Sequence, residues 1–322
     1  MSNYLILGGA GFIGYHLAKA LSKNKNNQID IIDNFARGKK DKELSKLVRK
    51  QNVSLKSVDL VNNFNNKFKN KYHYIFNLAA IIGVRNVIKF PQKVLENNFI
   101  LQKQAIDIAT KQTRLKKFIF FSTSEVYAGS NFFFKTIIPS PEKTPLTINE
   151  LKDKRTTYML SKIYGEALCY HSNLPFIILR PHNIYGERMG MDHVIPELLK
   201  KIYNSKKSKK LKVFTQNHSR SFCYIDDAIS QILDLTHSKK FKDVFNIGND
   251  KKELIIKNLA KLCMEILNEK RKIVSINSSH NSPKRRCPSM TKTFKVIKRR
   301  KFTPLRDGIE NVNKWYKYNK LI

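Results

Sequence analysis

Hydrophobic and polar positions along the first half of the chain switch between two periods. Short, nearly continuous apolar runs alternate with stretches whose apolar residues fall three and four apart. The first run, Tyr4-Leu5-Ile6-Leu7, predicts a buried strand. Gly8-Gly9-Ala10-Gly11-Phe12-Ile13-Gly14 follows, and then Leu17, Ala18 and Leu21 at helical spacing. Residues 29–32 predict a second strand that ends at Asp33, and a polar helical stretch around 42–50 comes next. Strands are expected at 53–58, ending at Asp59-Leu60, and at 73–78, running into Ala79-Ala80. A long helix is expected over 92–112, a buried strand over 117–121, a helix from about 157 to 171 and a strand over 176–179.

Repeated strand–helix units imply a parallel sheet with right-handed crossovers. In such sheets ligands bind beyond the carboxyl ends of the strands, where Gly8, Asp33, Asp59, Ala79 and Ser122 fall. After Arg180 the pattern loosens into short strands (212–214, 244–247, 273–276) and helices (196–203, 226–237, 254–267, 305–318). The expectation is an α/β fold. Residues 1–180 form a Rossmann-type doubly wound parallel sheet. Residues 181–322 form a smaller, interleaved α/β part that binds substrate. The lysine-rich stretch 204–212 reads as a solvated loop.

The glycine run has the context of a dinucleotide site: strand, tight turn, helix. Gly8 permits the turn, Gly11 lets the backbone approach a pyrophosphate, and Gly14 lets helix and strand pack closely. The N–H groups and dipole of the helix N-terminus then face the phosphates. Asp33, nineteen residues past Gly14, is placed to accept from an adenosine ribose and to repel a 2′-phosphate. That selects NAD over NADP, although Arg37 lies close enough to soften the preference.

At 322 residues, with 41% hydrophobic and 27% charged content, the chain fits one large α/β domain or two coupled ones. No apolar run reaches the ~18 residues of a membrane span, so no membrane insertion is expected. A strand beginning at Tyr4 leaves no room for a leader. Cys169, Cys223, Cys263 and Cys287 are far apart and form no C-x-x-C pair. Neither metal nor disulfide is indicated, and a cytoplasmic location is expected. The net charge of +36 raises a nucleic-acid reading. Lysines cluster at Lys200-Lys201, Lys206-Lys207, Lys209-Lys210, Lys212 and between Lys284 and Lys301, and the rest are scattered. No nucleic-acid module accompanies them. Their mixture with Asn, Ile and Phe looks like a chain-wide bias toward AT-rich codons, and a milder reading is that the positive field draws in an anionic nucleotide substrate.

Tyr158 and Lys162 stand at i and i+4, on one face of the expected 157–171 helix. A phenol near pKa ~10 is a poor base at neutral pH. A nearby ammonium and an oxidised nicotinamide would both favour phenolate, so a lowered Tyr158 pKa is expected. The pair lies in the same frame as Ser122-Thr123-Ser124, at a strand end.

Several separated segments carry a family resemblance. They are Gly8–Gly14 with Asp33-Asn34, Asn77-Leu78-Ala79-Ala80, the segment Phe121 to Tyr127, the R-x-x-N-x-Y-G run from Arg180 to Gly186, Arg220–Asp227, and Phe245-Asn246-Ile247-Gly248. The chain resembles the extended short-chain dehydrogenase/reductases, and among them the nucleotide-sugar epimerases, dehydratases and decarboxylases. The resemblance implies bound NAD held by Gly8, Gly11, Phe12, Ile13, Gly14, Asp33, Asn34, Asp59, Leu60, Leu78, Ala79, Ala80, Asn98, Ser122, Pro181, Tyr158 and Lys162. It implies Tyr158 as the base at a sugar hydroxyl, usually C4. Thr123 shares that oxygen, Lys162 holds the nicotinamide ribose, and Ser124 and Glu125 lie beside them. Arg85, Thr123, Asn183, His193, Arg220 and Arg286 would meet a nucleotide-sugar substrate, most simply a UDP-sugar. It also implies a homodimer through the helices that carry Asn98 and Tyr158, whose Ile106, Ala109, Leu160, Ile163, Ala167 and Leu168 exceed what one sheet face needs. No specific nucleic-acid partner is expected.

The outcome after C4 oxidation depends on neighbours. Dehydratases of this type carry T-D-E, and Thr123-Ser124-Glu125 lacks the acid. Decarboxylases carry S-T-S-E-V-Y, which the chain matches through Tyr127, but the 188–196 segment departs from their pattern. Ile82-Gly83-Val84-Arg85 resembles the G-V-R of epimerases. Epimerisation, in surface-polysaccharide sugar metabolism, is therefore the first expectation, decarboxylation the second and 4,6-dehydration the third. A non-catalytic NAD sensor is remote, because Tyr158, Lys162 and Thr123 are all present. Ser289 stands where the R-R-x-P-D pattern has Asp, which leaves the choice of nucleotide open.

Overall fold

Successive residues of the central strands are buried on opposite faces of one sheet, because both faces are covered by helices. Tyr4 and Ile6 join one core with Ile31, Phe76 and Ile119; Leu5 and Leu7 join the other with Ile32, Ile75 and Phe118. Continuous apolar strands are what a sheet buried on both sides requires. The computed structural model describes residues 1–62, 68, 71–133, 137–148, 150–204, 209–276 and 283–322.

The sheet contains β1 (Ser2–Leu7), β2 (Asn27–Asp33), β3 (Val53–Ser57), β4 (Tyr74–Asn77), β5 (Lys117–Phe121), β6 (Phe176–Pro181) and the strand Asp243–Ile247. Their order is Asp243–Ile247, β6, β5, β4, β1, β2, β3, and every neighbouring pair is parallel. The order reverses between β1 and β4, so the crevice of a doubly wound sheet opens at their carboxyl ends.

Element types follow the sequence pattern, with ends shifted by a few residues. The long helices run over Pro91–Thr110 and Lys154–Tyr170 and pack on each other. The strand expected at 244–247 does not stay in the smaller part: Asp243–Ile247 pairs with β6 and extends the main sheet. The expected loop at 204–212 is also corrected. Lys210 and Lys212 lie in the strand Lys210–Phe214, which pairs with Lys272–Ile276. Lys206-Lys207 lies outside the described residues.

One feature had no sequence signal. Ser219–Ser221 pairs with both Glu253–Ile255 and Arg285–Arg286, and this small sheet sets Arg286 beside Arg220. Among the described residues no helix is long and apolar enough to cross a membrane.

Candidate active site

A cavity of about 1170 Å³ opens at the carboxyl ends of the strands. Gly8, Gly11, Phe12, Ile13 and Gly14 line it, together with Asp33, Asn34, Asp59 and Leu60. Leu78, Ala79, Ala80, Ser122 and Pro181 line it as well. Gly8 has φ +78°, and a Cβ there would lie 2.9 Å from the Ala79 nitrogen. A Cβ on Gly14 would come within 2.6 Å of the Gly9 Cα. The turn is thus packed backbone against backbone, with no room for side chains at Gly8 and Gly14, and its glycines line the cavity, which suits a dinucleotide pyrophosphate.

Asp33 ties that turn to the next loop. Its Oδ2 accepts from the Ala10 amide at 2.9 Å and its Oδ1 from the Phe35 amide at 2.8 Å. Burial raises its carboxyl pKa, against the pull of the two amides and Arg188. A carboxylate has about four acceptor positions, so two remain for ribose hydroxyls.

Tyr158, Thr123 and Lys162 all line the same cavity. Thr123 Oγ1 accepts from the Glu125 amide at 3.2 Å, which leaves its own proton for Tyr158. Lys162 Nζ donates to the Phe121 carbonyl at 2.8 Å and stands 6.0 Å from the Tyr158 ring centre. Burial lowers the Lys162 pKa to about 7, against the pull of Glu166. The expected lowering of Tyr158 is reversed by the chain's own groups. Burial raises its phenol pKa, the Glu125 carboxylate adds to the rise, and Thr123 and Arg37 oppose it.

The helix that carries Tyr158 is held from behind. Glu166 accepts from Ser122 Oγ at 2.5 Å and from Arg180 at 2.9 and 2.6 Å. Arg180 also donates to Tyr127 and to the Glu142 carbonyl.

Asn183, His193, Arg220, Arg286, Ser124 and Glu125 also line the cavity. Asn183 sits at φ +42°, and its buried Nδ2 finds no hydrogen-bond partner among the described residues. His193 Nε2 is 3.2 Å from Arg37 Nη2; burial and Arg37 lower its pKa to about 4, so it is neutral. Burial and the adjacent Arg286 lower Arg220 to about 9. Glu125 is gripped by Arg286 at 2.8 Å and Arg155 at 3.2 Å. Burial alone would raise its carboxyl, but the two cations reverse that and hold it at about 2.

Two expected residues do not line the cavity. The Arg85 side chain is 86% exposed and pairs with Asp192. Asn98 is fully buried; its Oδ1 accepts from the Ile81 amide, and its Nδ2 reaches the Ile81 carbonyl and Ser161 Oγ. Asn98 therefore holds the loop after β4, whose Ala80 and Ile81 line the cavity. Sequence reasoning missed Arg155, whose signal was its place one turn before Tyr158. It also missed Arg188, which stacks on Tyr15 at 4.0 Å and pairs with Asp41 at 2.7 Å.

Residues 4–248 match the NAD dependent epimerase/dehydratase family. The chain is 31% identical over 260 residues to dTDP-D-glucose 4,6-dehydratase of Dictyostelium discoideum, covering 76% of this chain but 58% of that protein. It is 28% identical over 327 residues to UDP-N-acetyl-alpha-D-glucosaminuronate decarboxylase of Bacillus cytotoxicus, covering 97% of each. The structure of UDP-glucuronic acid 4-epimerase from Bacillus cereus in complex with NAD superposes with a TM-score of 0.84 at 27% identity, covering 98% of this chain and 99% of that one. A family match over most of the chain, on a sheet whose glycine cradle and Asp33 suit a dinucleotide, leads to one conclusion: this chain is an NAD-dependent enzyme of the epimerase/dehydratase family.

Proposed function

We propose that the enzyme oxidises C4 of a UDP-linked sugar bearing a carboxylate, and that CO2 is then lost. The observation that carries this reading is the placement of Glu125, with its two arginines, beside Tyr158, Thr123 and Lys162. Bound NAD would supply the hydride acceptor, return the hydride to C4 at the end, and favour the Tyr158 phenolate through its positive ring. Tyr158 takes the proton of the C4 hydroxyl, and Thr123 steadies the same oxygen. Lys162 supports the phenolate. A ketone at C4 makes a C6 carboxylate a β-keto acid. The C5–C6 bond can then break, CO2 leaves, and the bonding pair passes to the C4 oxygen before C5 takes a proton.

Glu125 favours this outcome. It is ionised, and it already opposes the charge of Arg155 and Arg286, so a sugar carboxylate at this wall meets an anion rather than an uncompensated cation. Losing CO2 removes that repulsion. Ser124 supplies no acid for dehydration. The second reading is C4 epimerisation, which the sequence placed first; the likeness to the Bacillus cereus 4-epimerase favours it.

The test is incubation with UDP-glucuronate. Release of CO2 with a UDP-pentose is expected. UDP-galacturonate without CO2 would move the assignment to epimerisation. Turnover of neutral UDP-sugars alone would overturn the carboxylate reading.

We also propose that residues 1–180 hold the cofactor and 181–322 mainly the sugar nucleotide. The four cysteines are free and buried, which suits a reducing cytoplasm, and the product would supply a surface polysaccharide. A homodimer through the Pro91–Thr110 and Lys154–Tyr170 helices completes the reading. Ile106, Leu160, Ile163 and Leu168 are half-buried there and Ala167 is exposed, whereas Ala109 belongs to the core. Light scattering should give twice 37.5 kDa; the single-chain mass at micromolar concentration would refute the dimer.

A further inference from the structure

Glu125 lies in the turn after β5, and two arginines from distant segments close on it. Arg286 Nη1, from the small sheet, is 2.8 Å from Oε1. Arg155 Nη2 straddles both carboxylate oxygens at 3.3 and 3.2 Å. The two cations are not equivalent. Arg286 lines the cavity, and its Nη2 is buried without a hydrogen-bond partner among the described residues, so an anionic ligand can compete for it. Arg155 is not part of the cavity wall. Its own amide donates to the Asp153 cap of the Tyr158 helix at 2.9 Å, which fixes where the guanidinium starts. The other groups that face Glu125 are Arg220, His182 and Tyr158.

We propose that Arg155 is a positioning residue that keeps the Glu125 carboxylate ionised at the cavity wall when substrate draws on Arg286, and so preserves the repulsion that is relieved when the sugar carboxylate leaves as CO2. The proposal rests on the C4 oxidation and decarboxylation reading above.

The sign of the effect follows from the charges. A carboxylate is charged above its pKa, so with both arginines present Glu125 stays ionised across the working pH range. An opposite charge within ~4–6 Å shifts a carboxyl by about one to three units, so its removal should raise Glu125 by about that much. A protonated Glu125 would no longer repel the sugar carboxylate.

The experiment uses the NAD-loaded enzyme labelled with carbon-13 at the glutamate carboxyls. The Glu125 resonance is assigned by its loss in Glu125→Gln. In Arg155→Ala it should titrate about one to three pH units higher than in the parent. The acid limb of kcat on UDP-glucuronate should move up with it, and KM should fall where Glu125 is protonated, because the sugar carboxylate is then no longer repelled. Arg155→Lys should restore most of both. In the Glu125→Gln background, Arg155→Ala should add little further loss of kcat. An unchanged carboxyl titration in Arg155→Ala overturns the proposal. So does an equal loss with and without the Glu125 carboxylate, which marks a purely structural role. If the parent turns over no UDP-uronate, the substrate reading fails, and the carboxyl titration, which needs no substrate, still decides what Arg155 does.

Discussion

Tyr158→Phe is expected to lower kcat by about 10²–10⁴-fold while the protein keeps its NAD, because a positioned general base typically contributes that much. The change removes one oxygen and keeps the ring, so the packing of the Lys154–Tyr170 helix is preserved. The dinucleotide cradle at Gly8 and Gly14 and the Asp33 carboxylate lie elsewhere on the cavity wall. Thr123→Ala should be milder, since it removes an orienting hydroxyl and leaves the base. Lys162→Ala should harm both turnover and cofactor retention, since one ammonium would serve both. The measurement is kcat on UDP-glucuronate, together with NAD released from the denatured protein. Full activity in Tyr158→Phe would refute the assignment of the base.

Arg180→Met should cost about 3–5 kcal/mol of stability, the usual effect of breaking a buried ion pair from one side. The Arg180 and Glu166 side chains are each 5% exposed and 2.6 Å apart. Removing the guanidinium strands the Glu166 carboxylate and takes the donors from Tyr127 and the Glu142 carbonyl. Against a total stability of about 5–15 kcal/mol, that is a large fraction. Arg180→Met combined with Glu166→Gln should recover part of the loss, because the orphaned charge is gone. Urea unfolding checks both variants through the midpoint at constant slope. A loss under about 1 kcal/mol in Arg180→Met would show that the carboxylate finds another partner.

The sequence disclosed what is periodic and local. Apolar runs over Tyr4–Leu7 and Lys117–Phe121 sit in a sheet buried on both faces, and the glycine turn is fixed by backbone sterics that need no distant partner. The Ser219–Ser221 and Arg285–Arg286 strands carry no such signal, because two or three residues are too few for a period. Their pairing across more than sixty residues creates the Arg220–Arg286 juxtaposition. The same limit hid the contact of Arg155 with Glu125, which depends on how a helix and a strand end meet. The rise that the chain's own groups impose on Tyr158 was hidden for a related reason. The sequence presents Lys162 at i+4, but burial and the Glu125 carboxylate outweigh any such help.

The central claim is that hydride leaves C4 and returns there, with Tyr158 as the base. UDP-glucuronate deuterated at C4 tests it most directly. The account predicts a primary isotope effect on turnover, with the deuterium retained at C4 of the UDP-pentose product and CO2 released. Product formed without an isotope effect, or with the label lost to water, would contradict it.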